Sequence, residues 1–387
     1  MNKSQYVYLL LITMSNFFNL RFMPLLKYGS DESFLLIIGI VLLGFVYYRR
    51  NTDLYSEPIV QQYTRFLSYV WITIGISIIT CYLFWGQSLL QSFLTYRKFF
   101  SYILFVALLW VRPSEEDVIN GFKYYTYTFL IIAFCVWVLH LPMTHAIYKP
   151  SADIAQNNAI LGTTLIAFYF YHLLMRLRES YSWNDLIVAS LLMAYFVINQ
   201  NRSLMFPCLL FYLYTIYKAK VGFSVKAVIV VCISTVLFFN FDLIQNLLDE
   251  TQAQVDDDSY VRWEAIAYFL TGLSPNFICV IFGNGMISAI SNPAFWQMLF
   301  SNMWNFNDVG WFGYYAFFGL VGIVAIFNII MRIILDKNSP TDLRMLLIHM
   351  CVPTIWALWM PDTICLFCLI IYVYLYRKVY DAKEGFD

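Results

Sequence analysis

Four arginines, one aspartate and a pair of glycines carry the chemistry this sequence could perform. Asn199-Gln200-Asn201-Arg202-Ser203 is a short polar knot between two apolar runs. Arg202 supplies a permanently charged fork of donors suited to phosphate oxygens, and Asn201 beside it adds amide donors. Arg21 and Arg97 stand at the ends of other apolar runs, and Arg262 follows the acidic run Asp256-Asp257-Asp258-Ser259. Converging at one interface, such arginines would bind a phosphorylated headgroup. Taken singly, each could snorkel to phospholipid phosphates, and Arg262 could pair with Asp258 four residues before it.

Further on, Ile281-Phe282-Gly283-Asn284-Gly285-Met286 reads as a turn in which Gly283 and Gly285 permit positive φ and close backbone approach. Asp308 precedes a long apolar run bearing Gly310, Gly313, Gly319 and Gly322. It could cap that helix, or act as a general base if a substrate hydroxyl came within hydrogen-bond reach. The run from Ser259 to Leu270, ending at Gly272, reads as a capped amphipathic helix. Tyr260, Trp263, Trp296 and Trp304 could stack on sugar rings or form an interfacial belt.

No metal site or cofactor is expected. His172 and His349 lie in apolar runs and read as satisfied interior histidines, while His140 and His145 flank a loop at 141 to 157. Cys365 and Cys368 form a C-x-x-C inside an apolar run with no second ligand pair, and no disulfide framework is implied.

The elements that must position these residues follow from composition. Of 387 residues, 61% are hydrophobic and 12% charged, whereas a soluble domain carries about 25% charged residues. Zero formal net charge excludes a general basic field for nucleic acid. The expectation is an all-α integral membrane protein, because a backbone in lipid must satisfy its own hydrogen bonds. Apolar runs place twelve transmembrane helices near 5 to 24, 33 to 48, 66 to 85, 98 to 112, 121 to 140, 158 to 175, 185 to 199, 203 to 217, 225 to 240, 309 to 334, 345 to 360 and 362 to 377. Residues 241 to 308 remain as one large extracytoplasmic loop with short helices, between the ninth and tenth spans. No matched pair of broken helices is apparent.

Lysine and arginine placement orients the chain. With the N-terminus inside, all of the 24 except Arg21, Lys27, Arg97, Lys98, Lys149, Arg202 and Arg262 fall on the cytoplasmic side. Both termini are then cytoplasmic and 241 to 308 lies outside. The first apolar run, with Asn16, Asn19 and Arg21, reads as a signal anchor.

The order of these motifs over roughly residues 60 to 335 resembles the Wzy-type polysaccharide polymerases, which share a superfamily with the O-antigen ligases. The matching features are Asn201-Arg202-Ser203, Ser259-x-x-Arg262, Gly283-x-Gly285, and Asp308-x-Gly310 opening a glycine-bearing helix. The resemblance implies a metal-independent GT-C-like glycosyltransferase of the bacterial cytoplasmic (inner) membrane. Its donor and acceptor would be undecaprenyl-diphosphate-linked glycans, polymerised into O-antigen of lipopolysaccharide, capsule or exopolysaccharide, with membrane lipids and a chain-length regulator as partners. Arg202 and Arg262 would hold the diphosphates, and Asp308 would sit near the acceptor. The ligase branch carries a histidine in or just after the outer loop, and none of the four histidines lies between 241 and 308. That favours polymerase over ligase. A flippase or transporter of lipid-linked sugars is the reading from another class.

Overall fold

In the computed structural model, residues 2–15, 58–138, 163–198, 202–219, 261–351 and 361–384 are described, with a few isolated positions between them. The spans expected near 33 to 48 and 225 to 240 fall essentially outside these, as do Arg21, Asn201, His140, His145 and the acidic run 256 to 259. Among the described residues the fold is all-α, with no strand.

The helices are α1 (Lys3–Met14), α2 (Pro58–Trp85), α3 (Leu89–Thr95), α4 (Leu104–Val111), α5 (Glu115–Val138), α6 (Thr163–Glu179), α7 (Trp183–Ile198) and α8 (Arg202–Lys218). Then come α9 (Val261–Ala267), α10 (Phe277–Phe282), α11 (Pro293–Ser301), α12 (Trp311–Leu335), α13 (Thr341–Met350) and α14 (Pro361–Glu384). The span expected at 98 to 112 is instead the 3-10 stretch Tyr96–Ile103 followed by the short α4, which stops where Arg112 takes φ 49° before Pro113. Two helices, Thr64–Trp85 and Trp311–Leu335, are long and apolar enough to cross a membrane by length and composition.

Local sequence explains the starts of these elements. Asn2 and Gln5 form a reciprocal capping box at α1. Ser114 and Asp117 do the same at α5, whose acidic first turn suits the helix dipole. These two helices run parallel, since Ser4 donates to Asp117 at 2.7 Å and Tyr8 meets Thr128 at 2.8 Å. Gly121 lets them close up, because a Cβ there would lie 2.5 Å from the Val7 side chain.

Among the described residues, a group of charged side chains gathers at one end of the bundle. Lys3 donates to the Arg112 carbonyl at 2.7 Å, Tyr372 to the Pro113 carbonyl at 2.8 Å, and Arg377 makes a two-pronged pair with Glu115. Asp336, just past α12, accepts from Tyr374 at 2.6 Å and lies 3.6 Å from Lys378, while its carbonyl takes the Arg344 guanidinium. The Tyr374 hydroxyl and the Asn338 amide hold its carboxyl below the usual range. The starts of α1, α5 and α13 and the ends of α12 and α14 are thus fastened together. The interior between them is aromatic, as in the Phe122–Phe168 stack at 4.2 Å and the Phe170 ring edge-on to Phe196 at 5.4 Å.

Candidate functional site

At the other end, α12 is not one helix. Gly319 has φ 64° and ψ −166°, breaking the run into Trp311–Phe318 and Leu320–Leu335. A break of this kind frees carbonyls that helical amides would otherwise take. The Gly283-Asn284-Gly285 turn fills the gap: Asn284 N–H donates to the Ala316 carbonyl at 3.0 Å, and Gly285 N–H to the Phe317 carbonyl at 2.9 Å. The Asn284 side-chain amide adds bonds to Ala316 O and to Ser274 Oγ, each 3.1 Å, and its oxygen accepts from Trp85 Nε1 at 3.3 Å.

The glycines are required for contact as well as for dihedrals. Gly283 has φ 85°, and a Cβ there would stand 2.1 Å from Phe317 O. Gly285 has φ 73°, and its Cβ would stand 2.5 Å from Ser77 O on α2. A Cβ on Gly319 would in turn strike the backbone of Gly283 and Ile281 at 2.4 Å. The expected Gly-x-Gly turn is present, and its role is to let two backbones touch.

Beyond the turn, the chain is held by side chains of α2, α3 and the 3-10 stretch. Met286 N–H donates to Tyr96 Oη at 3.0 Å, which also meets Ser77 Oγ at 2.6 Å. Buried Gln87 accepts from Ser288 N–H at 2.6 Å and donates to Met286 O at 3.1 Å and Ser92 Oγ at 3.0 Å. Gln91 reaches Ser288 Oγ at 2.8 Å, and Asn292 reaches Trp85 O. Sequence reasoning passed over Asn284, Gln87, Tyr96 and Ser288. The available signal was the Gly86-Gln87-Ser88 interruption, where Gly86 takes φ 63°, between two apolar runs.

Above this network sits the helix with Arg262. Val261–Ala267 passes into the π turn Tyr268–Gly272, with Ala265, Ile266 and Phe269 buried and Arg262 exposed. Phe269 stacks on Phe306 at 4.4 Å, Phe306 meets Phe317 at 4.5 Å, and Tyr268 stacks on Trp304 at 4.7 Å. This seats α9 on the 3-10 turn Phe306–Val309, which holds Asp308. Asp308 does not occupy the N-cap position of α12. The N-cap position is Gly310, with φ 50° and no side-chain cap bond, because the 3-10 turn ends before the helix begins.

Arg262, Asp308, Gly283 and Gly285 therefore share one assembly. Arg97 lies on the 3-10 stretch directly after Tyr96. Arg202 is the first residue of α8, which packs on α6 and α7. Tyr171 meets His349 Nδ1 at 2.9 Å, and His172 lies 3.3 Å from Asp342, so both interior histidines have partners. No family model matches the chain, and no curated protein is detectably similar to it.

Proposed function

We propose that this chain is a polytopic membrane glycosyltransferase that polymerises undecaprenyl-diphosphate-linked repeat units on the outer face of a bacterial cytoplasmic membrane. Supporting the membrane reading, the apolar windows of Thr64–Trp85 and Trp311–Leu335 are only 35% and 39% buried. A soluble protein would hide such helices, so their exposed flanks fit lipid. The expected orientation fits as well, since the contacts of Lys3, Arg112, Arg344, Arg377 and Lys378 fall at the one end assigned to the cytoplasm.

The observation that carries the catalytic reading is the seating of Arg262's helix on the turn holding Asp308, over the Gly283–Gly285 turn. In the reaction proposed, the bond between the donor sugar's anomeric carbon and the lipid diphosphate breaks, and a bond to the acceptor hydroxyl oxygen forms. Arg262 and Arg202 hold the diphosphates and stabilise the charge on the departing one. Asp308 takes the acceptor proton. Arg262→Ala and Arg202→Ala should abolish polymer ladders while single repeat units still reach the surface; ladders persisting in both variants would overturn the assignment.

One observation favours a second reading. Helices broken at membrane depth are a device of secondary transporters, and α12 is broken at Gly319. A transporter of lipid-linked sugars would instead leave repeat units on the inner leaflet when the gene is deleted.

A further inference from the structure

The segment 241 to 308 is expected from sequence to be an extracytoplasmic loop, yet from Ala265 to Asn307 it contains no Asp, Glu, Lys, Arg or His. Its contacts also run deep. Gly283 abuts α12 at Phe317 to Gly319, six to eight residues after Trp311, which at 1.5 Å per residue is about 9 to 12 Å along the helix. Gly285 abuts Ser77 and Cys81 on α2, eight and four residues before its end at Trp85, or about 6 to 12 Å by the same rise. Two helices give the same depth independently.

Irregular backbone at such depth must have its polar groups satisfied within the protein. Here the amides of Gly283, Asn284, Gly285, Met286, Ser288 and Ile290 all have acceptors, and Asn284, Ile287 and Ser288 are buried. The flanks are the reverse: Phe277 is 73% exposed, Ile290 82% and Phe300 71%. Gln87 and Gln91 tie the segment at Ser288 to α2 and α3, whose Leu83, Leu90 and Phe93 are likewise exposed.

We infer that residues 277 to 303 form a re-entrant hairpin that enters the bilayer beside α2 and α12, with Phe277, Ile290 and Phe300 against lipid and the Gly283–Gly285 tip locked in the α12 break. The inference rests on the membrane-spanning reading and is independent of catalysis. Lipid is the fitting occupant because the surface is uncharged and flanks two helices long and apolar enough to cross a membrane.

The test uses the full chain with exposed Cys135, half-exposed Cys351 and also Cys232 replaced by Ala. Leu83→Cys, Ile290→Cys, Phe300→Cys and Asn305→Cys are each labelled with bimane and reconstituted in phosphatidylcholine vesicles bearing acyl-chain nitroxides. All four sites are exposed, so the label reaches each from outside the fold. The expected result is loss of fluorescence at Ile290→Cys and Phe300→Cys as strong as at Leu83→Cys, with Asn305→Cys quenched by aqueous iodide instead. If Leu83→Cys is lipid-quenched but the hairpin sites answer only to iodide, the hairpin is wrong and the membrane reading stands. If no site is lipid-quenched, both fall. If the hairpin sites escape both quenchers and crosslink between copies, a second subunit covers them and the inference fails.

Discussion

Glycine decides more at this site than any charged group. Gly283, Gly285 and Gly319 all take positive φ, and each meets neighbouring backbone where a Cβ would stand. A non-glycine residue held at such dihedrals costs on the order of 1–3 kcal/mol before any clash. Gly283→Ala should therefore lower unfolding stability in detergent by at least about 2 kcal/mol. Gly75→Ala, with nothing within 4 Å and a helical backbone, should be neutral or slightly stabilising. Equal losses in the two variants would show that contact at Gly283 is not the cause. The sequence pattern disclosed that Gly283 and Gly285 form a turn. It could not disclose the Phe317 carbonyl they approach, because that partner is more than thirty residues away and the approach depends on the break at Gly319.

A helix that breaks inside an apolar run needs another element to complete it, and α12 obtains this from the loop before it. Asn284 is the central side chain, joined to Ala316, Ser274 and Trp85. Asn284→Ala would leave the half-buried Trp85 indole N–H and the Ser274 hydroxyl short of partners and the Ala316 carbonyl one donor fewer, costing about 1–3 kcal/mol. Chemical denaturation should show that loss. Asn284→Gln, which is longer and cannot hold the same bonds, should not rescue it; full rescue would place the stabilisation elsewhere. The sequence predicted one helix from 309 to 334 because Gly319 is tolerated within a helix by pattern alone. Only the Gly283–Gly285 turn, whose amides take the freed carbonyls, makes the break favourable. The start of α12 was hidden for a similar reason: an aspartate before an apolar run looks like a cap, and the intervening 3-10 turn that moves the N-cap position to Gly310 is a matter of Phe306 packing on Phe269 and Phe317.

At the scale of the whole molecule, contacts among the described residues fasten one end by ion pairs and hold the Gly283–Gly285 turn by uncharged hydrogen bonds. Arg377 and Glu115 join α14 to the start of α5 across the chain with side chains 32% and 21% exposed. Glu115→Arg or Arg377→Glu alone should destabilise the protein, and the two together should recover part of the loss. A double-mutant cycle should give a coupling of about 1 kcal/mol or more, as expected for a two-pronged, partly buried pair. Additive losses would mean that the pair does not bind the bundle together.

The sequence by itself determined the helical class, the end of the bundle at which its lysines and arginines gather, and the motif residues to examine. Those are properties of composition and of short spacing, which solvent enforces wherever the chain folds. Tertiary structure decided that Gly283–Gly285 is a plug in α12, that Gly310 rather than Asp308 starts that helix, and that Gln87, Tyr96 and Asn284 hold the loop. Each depends on a carbonyl or amide left unpaired by one segment and satisfied by another far along the chain, and local spacing does not record which distant group completes it.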